Sequence, residues 1–153
     1  MIDLSKELPR LLPLAVGWAS SCSSEILETG IALTPREVHL ARSVGVRYPE
    51  RVRIQIVTAI PLPEDAELRA AAVQAELIGP STRGLTLGYG IYFVDGSICD
   101  RLIRHEFRHV YQYEQARSIE GFLRKYIPDV LEHGYWNAPD EVDARAHENG
   151  RAR

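Results

Sequence analysis

Between Ser97 and Arg117, Ile103, Phe107 and Val110 follow one another at spacings of four and three residues, the mark of a helix with one buried stripe. Glu114 extends that side. Leu102, His105, Glu106, His109, Gln112 and Tyr113 fall together on a second face, and Arg101, Arg104, Arg108 and Gln115 on a third, polar one. A helix with an apolar side, a chemistry-bearing side and a solvated side suits the wall of a cleft, so the rest of the chain must supply a core behind it. Ser97 with Asp100 three residues on predicts its start.

The flanking segments predict the other elements. Residues 4–28 read as helix, with Pro9 and Pro13 confining the regular part to about 14–28 and Gly30 as its stop. Thr34-Pro35-Arg36-Glu37 forms a capping box that starts a second helix, with Gly45 at its end and His39 facing solvent. Arg51 to Thr58 alternates polar and apolar and reads as a half-buried strand, Glu64 to Leu77 as helix, and Leu85 to Val94 as a second strand. Gly88 and Gly90 within that strand predict a bulge or a close backbone approach. A helix over Ile119 to Glu132, kinked or split at Pro128, stops at Gly134. A last helix starts near Pro139 with Asn137 as its cap and carries Glu141 to His147. The class expected is α+β: one helix-rich domain over 1–153, with N-terminal helices in 1–50, a strand-helix-strand unit in 51–94 and the site helices in 97–147. A sheet of two to three short strands packs on the helix that holds His105.

Length and composition narrow the function classes. The 153 residues are 45% hydrophobic and 25% charged, as in a soluble globular domain that can bury a core. A net charge of -3 with no Lys/Arg run argues against a nucleic-acid partner. No apolar run reaches the roughly 20 residues that span a bilayer, which argues against a membrane partner. Leu11 to Ala19, followed by Ser20-Ser21-Cys22, has a faint lipoprotein-signal look, but Asp3 and Glu7 remove the positive leader and two prolines interrupt it. The segment is read as a buried N-terminal helix, and the location expected is cytoplasmic. Cys22 and Cys99 belong to no CxxC or Cys/His pair and are expected as buried or half-buried free thiols.

His105-Glu106-Phe107-Arg108-His109 carries the chemistry. Residues four apart lie about 40° from one another around a helix, so both imidazoles can reach one metal. Glu106 stands beside them, where a carboxylate can take a proton from water that a metal has made acidic. Zinc is the cofactor expected for such a donor set. A third ligand is needed. Position 115, where a longer version of the motif has histidine, is Gln. The helix after Pro139 offers Glu141 instead, with Asp143, His133, His147 and Glu148 as alternatives. Arg145, one turn beyond Glu141, is positioned to orient it. Gln112, Tyr113, Tyr135 and Trp136 are further candidates for holding the site or touching substrate.

The strings HEFRHVYQYEQ (105–115) and NAPDEVDAR (137–145) resemble the gluzincin branch of the zincin metallopeptidases. They are similar to small bacterial proteins that read HE-x-x-H-V-x-Q and later P-x-E-x-E-A-R; Asp143 stands where that second pattern often has Glu. The resemblance covers about residues 84–147. It implies His105, His109 and Glu141 as zinc ligands and Glu106 as general base. It also implies that strand 85–94 edges a sheet above the cleft, where an extended peptide could add as a strand. The activity expected is cleavage of peptide bonds in a peptide or protein substrate. No separate C-terminal domain supplies an oxyanion donor, which leaves a second reading: a zinc-binding interaction or regulatory domain with little proteolysis, its cleft completed by a protein partner.

Overall fold

The structure is a computed structural model that describes residues 1–149. Its first helix, α1 (Leu4–Thr29), starts at Asp3, whose carboxylate accepts from the Lys6 N–H at 3.2 Å, and ends at Gly30. Both Pro9 and Pro13 lie inside it, so the helix is not confined to 14–28. An interior proline removes a backbone hydrogen bond and costs about 3 kcal/mol. Burial of Leu11, Leu12, Ala19 and Ile26 along the same helix offsets that loss. Cys22 is half-buried on α1, whereas Cys99 is exposed, contrary to expectation; both are free.

A two-residue strand, β1 (Ile31–Ala32), precedes α2 (Pro35–Ser43). The α2 capping box forms as expected: Thr34 Oγ1 accepts from the Glu37 N–H at 3.2 Å and Glu37 accepts from the Thr34 N–H at 2.8 Å. His39 is exposed. Pro49–Arg51 forms one 3₁₀ turn and so trims the expected strand to β2 (Arg53–Val57). Helix α3 (Ala66–Gln74) is capped by Asp65, and a positive φ at Glu76 closes the segment before Leu77.

The segment read as one strand is a hairpin of β3 (Gly84–Leu87) and β4 (Gly90–Val94). Gly88, at φ +71°, takes the first place of the two-residue turn, which suits a type II′ connection and replaces the expected bulge. The sheet therefore has four strands, in the order β1-β2-β4-β3, rather than two to three. β2 and β4 run parallel, and both outer pairs are antiparallel. β3 is an edge; β4 is interior and buried along its whole length.

Alternation along β4 divides the core. Tyr92 and Val94 join a cluster with α1 residues such as Leu12, Ala19 and Ile26, while Ile91 and Phe93 join one with Leu40, Val44 and Val52. Helix α4 (Asp100–Ala116) contributes Ile103, Phe107 and Val110 to the second cluster, as its sequence period predicts. Its start differs: Cys99 is the N-cap with no side-chain bond, and Asp100 pairs with Arg36 instead of closing a box with Ser97. Helix α5 (Ile119–His133) runs unbroken through Pro128, held by buried Phe122, Leu123, Ile127 and Val130, and ends at Gly134 with φ +80°. Helix α6 (Pro139–Ala146) has Ala138, not Asn137, as its N-cap and no side-chain cap; Pro139 at the first position sets the turn. No helix among the described residues is long and apolar enough to cross a membrane.

Candidate metal centre

His105 and His109 leave α4 on successive turns, with ring centroids 4.9 Å apart. Helix α6 packs against α4 and turns Glu141, almost wholly buried, between them. His105 Nε2 lies 3.1 Å from Glu141 Oε1, and His109 Nε2 lies 3.0 Å from Glu141 Oε2. One ligand atom from each of the three residues falls within 4.8 Å of the other two.

The other ring nitrogens are already engaged. His105 Nδ1 lies 2.8 Å from Glu148 Oε2, and Arg101 holds Glu148 in turn at 2.7 Å. An ionised carboxylate only accepts, so Nδ1 carries the proton. His109 Nδ1 lies 2.7 Å from Gln112 Oε1. The Gln112 amide nitrogen donates to the Asp140 carbonyl and to Asp143 Oδ2, each at 2.9 Å, which fixes Oε1 as the acceptor and His109 Nδ1 as the donor. With Nδ1 protonated in both rings, each Nε2 faces an oxygen of Glu141. Lone pairs and carboxylate oxygens about 3 Å apart repel unless a cation, proton or metal, lies among them.

The titration behaviour has the same cause. Burial would lower the His109 pKa, but Glu141 and Glu106 outweigh it and push it up to about 9. His105 is raised as well: burial again opposes, and Glu141 with Glu106 overrides. Burial would raise the Glu141 carboxyl, yet the two imidazoles hold it well below the usual carboxylate range. Tyr126 donates to Glu141 Oε2 at 2.7 Å and fixes the carboxylate from the α5 side.

The remaining sequence candidates divide. Gln112 and Asp143 do not reach the shared point but hold it: Asp143 accepts from Gln112 and takes Arg108 Nε at 2.7 Å and Nη2 at 3.3 Å. Arg108, half-buried and also bonded to the Val44 carbonyl, is thus not on a solvated face. Arg145 does not orient Glu141; it donates to the Trp136 carbonyl and stacks on that indole, 3.7 Å from the ring centroid. Tyr113 is a core residue, buried and stacked on Phe122 with centroids 3.9 Å apart. His147 bonds the Asp143 carbonyl, and His133 sits with Asp129 and Glu132 in a separate, mostly exposed group.

Glu106 is buried beside the two histidines. Its Oε1 accepts from Thr86 Oγ1 at 2.8 Å, while Oε2 has no protein donor among the described residues. A Cβ on Gly84 would lie 2.9 Å from Glu106 Cγ and 3.1 Å from Oε2, so only glycine lets β3 approach the Glu106 side chain this closely. Gly84, Thr86, Tyr126 and the His105–Glu148 contact are features of the candidate site that sequence reasoning missed. Thr86 carries a faint signal, as the polar residue between Leu85 and Leu87. The others depend on which elements meet. A cleft of about 600 Å³ opens on His105 and Glu106, bordered by Arg83, Arg101, Tyr135 and Glu148.

Two imidazoles and one carboxylate are a donor set that suits zinc and leaves room for a further ligand on an ion. Compared with protein-family models, curated proteins and solved structures, the chain gives no match.

Proposed function

We propose that this protein is a zinc-dependent hydrolase, a metallopeptidase that cleaves peptide bonds, with His105, His109 and Glu141 as ligands and Glu106 as general base. The observation that carries the reading is the convergence of both Nε2 atoms on the two oxygens of Glu141, at 3.1 and 3.0 Å, with both Nδ1 atoms already bonded elsewhere. Zinc bound there would polarise the scissile carbonyl and bring the pKa of water toward neutrality.

The chain's own groups have separate tasks. Glu148 and Gln112 fix the tautomers and the ring planes. Thr86 holds one oxygen of Glu106, leaving Oε2 to take a proton from water and return it to the leaving amine. The edge of β3 passes Glu106 at Gly84, where an extended substrate could pair with its backbone. Tyr135, half-buried, borders the cleft and is a candidate donor to a developing oxyanion.

The test is metal analysis joined to a peptide-library digest. Purified protein should hold one zinc per chain, His105→Ala should lose it, and Glu106→Gln should keep it while cleavage falls at least a thousandfold. Protein without stoichiometric metal would end the proposal. Zinc with no chelator-sensitive cleavage would favour the second reading, a zinc-binding interaction domain. That reading draws on Tyr126, whose hydroxyl is committed to Glu141 and so is not free for an oxyanion.

A further inference from the structure

The cleft that opens on His105 and Glu106 carries two cations with spare donors. Arg83 borders it from the residue before β3, and Arg101 from the first turn of α4. Arg83 is exposed and, among the described residues, pairs with no carboxylate; its one side-chain bond runs from Nη1 to the Pro80 carbonyl at 3.4 Å. Arg101, with a side chain 73% exposed, gives Nε to Glu148, and its two terminal nitrogens have no acceptor among the described residues. The acids of the same cleft leave Arg83 uncompensated. Glu106 is bonded to Thr86, Glu148 is shared by Arg101 and His105, and Glu76 forms no ion pair with either arginine.

Both arginines stand on fixed backbone beside the candidate metal centre. The Arg83 carbonyl accepts from the Val94 N–H at 2.9 Å. The turn before it is closed by Thr82, whose N–H donates to the Gly79 carbonyl at 3.0 Å and whose Oγ1 accepts from the Gly79 N–H at 2.8 Å. The next residue, Gly84, is the one that meets Glu106. Arg101 lies one helical turn ahead of His105. A guanidinium stays charged at any working pH, gives up water readily and offers paired N–H groups that match the two oxygens of a carboxylate. Such pairs are screened by salt at exposed positions, so these cations bias the choice of substrate rather than supply most of its affinity.

We propose that Arg83, assisted by Arg101, makes this a cleft for acidic peptides: it takes a carboxylate of the substrate close to the scissile bond, from an Asp or Glu side chain or from the C-terminus. The assignment rests on the hydrolase reading given above and names the substrate class of that same site. Arg83 is the residue that separates specificity from metal binding. Arg101 holds Glu148 and through it His105, whereas Arg83 bonds to none of the ligands or their partners.

The test separates binding from turnover. Dye-labelled oligoalanine peptides are titrated into zinc-loaded, full-length Glu106→Gln protein and followed by fluorescence anisotropy. One series carries Asp, Glu, Asn or Gln at each position in turn, and each peptide is made with a free and with an amidated C-terminus. Peptides with a carboxylate should bind about tenfold or more tightly than their amide counterparts, as loss of a charge-assisted hydrogen bond implies, and the difference should shrink as salt is added. A preference for internal acids identifies the side chain as the source; a preference for the free terminus identifies the terminal carboxylate. Arg83→Ala should remove the preference and Arg83→Glu should turn it toward Lys-containing peptides, both with zinc content unaltered. Acidic and amide peptides that bind alike, or a preference that survives Arg83→Glu and high salt, would overturn the assignment. Chelator-sensitive cleavage by the wild-type protein with no carboxylate preference would overturn this inference alone. Carboxylate-dependent binding without any cleavage would overturn the hydrolase reading and the substrate assignment with it.

Discussion

Each imidazole of the centre is held by a different partner, and the two partners differ in charge. His105 Nδ1 is paired with a carboxylate, Glu148, which Arg101 also holds, whereas His109 Nδ1 is paired with a neutral amide, Gln112. Loss of such a partner commonly weakens metal binding by about 10- to 100-fold. Glu148→Ala is expected to fall in that range in a zinc competition assay against a chromogenic chelator, with Gln112→Ala changing less. At Gly84 the prediction concerns the base. The methyl group of Gly84→Ala would press on Glu106 Cγ at 2.9 Å and shift a carboxylate held by Thr86, so kcat should drop by about 10- to 100-fold while zinc content holds. The metal-free protein has its own pH signature. The folded-state pKa of His109, about 9, stands above the ordinary value of 6.5, so its contribution to stability is complete below about pH 6.5 and is lost as pH rises through 9. Thermal melts in chelator should therefore decline over that interval.

Elements differ in how openly the sequence declares them. The start of α2 was legible because Thr34, Pro35 and Glu37 make all of its capping contacts among themselves. The three faces of α4 were legible for a similar reason: a helical period is a local property, and Phe107 and Val110 are fully buried where it places them. His105, Glu106, His109 and Glu141 followed from spacing and from one helix start. The hairpin was not legible, because Gly88 marks a turn and a bulge with the same residue. Glu148, Tyr126 and Gly84 were hidden for another reason: their roles exist only once α6, α5 and β3 have docked on α4. The length of α1 was misjudged because local propensity gives way to burial over two turns that contain proline. Replacing Pro9 with alanine restores a helical hydrogen bond, and it should stabilise the protein by about 1 to 3 kcal/mol in urea unfolding, less the small entropy the proline removes from the unfolded chain.

For the molecule as a whole, the candidate metal centre bridges α4 and α6 through His105, His109 and Glu141. Helix α6 has eight residues and no side-chain cap, and it is held by buried Ala144, by the Gln112 bond to the Asp140 carbonyl and by the contacts of Glu141 and Asp143 with α4. A ligand that binds only the folded state adds about 4 kcal/mol of stability at a thousandfold excess over its Kd. Zinc should accordingly raise the melting temperature, and hydrogen exchange in residues 139–146 should slow more on zinc binding than exchange in β4, which is buried on both faces without any ion.

Phe107 gives these relations a mechanical side. Its ring is sealed in the core, yet it sits between His105 and His109 on the same two turns. Trimming that ring to leucine would let α4 roll slightly about its axis, and both imidazoles would swing together while Glu141, mounted on another helix, stayed in place. A change of hydrophobic packing on the far side of α4 would then be read out as a change in the spacing of the three candidate donors.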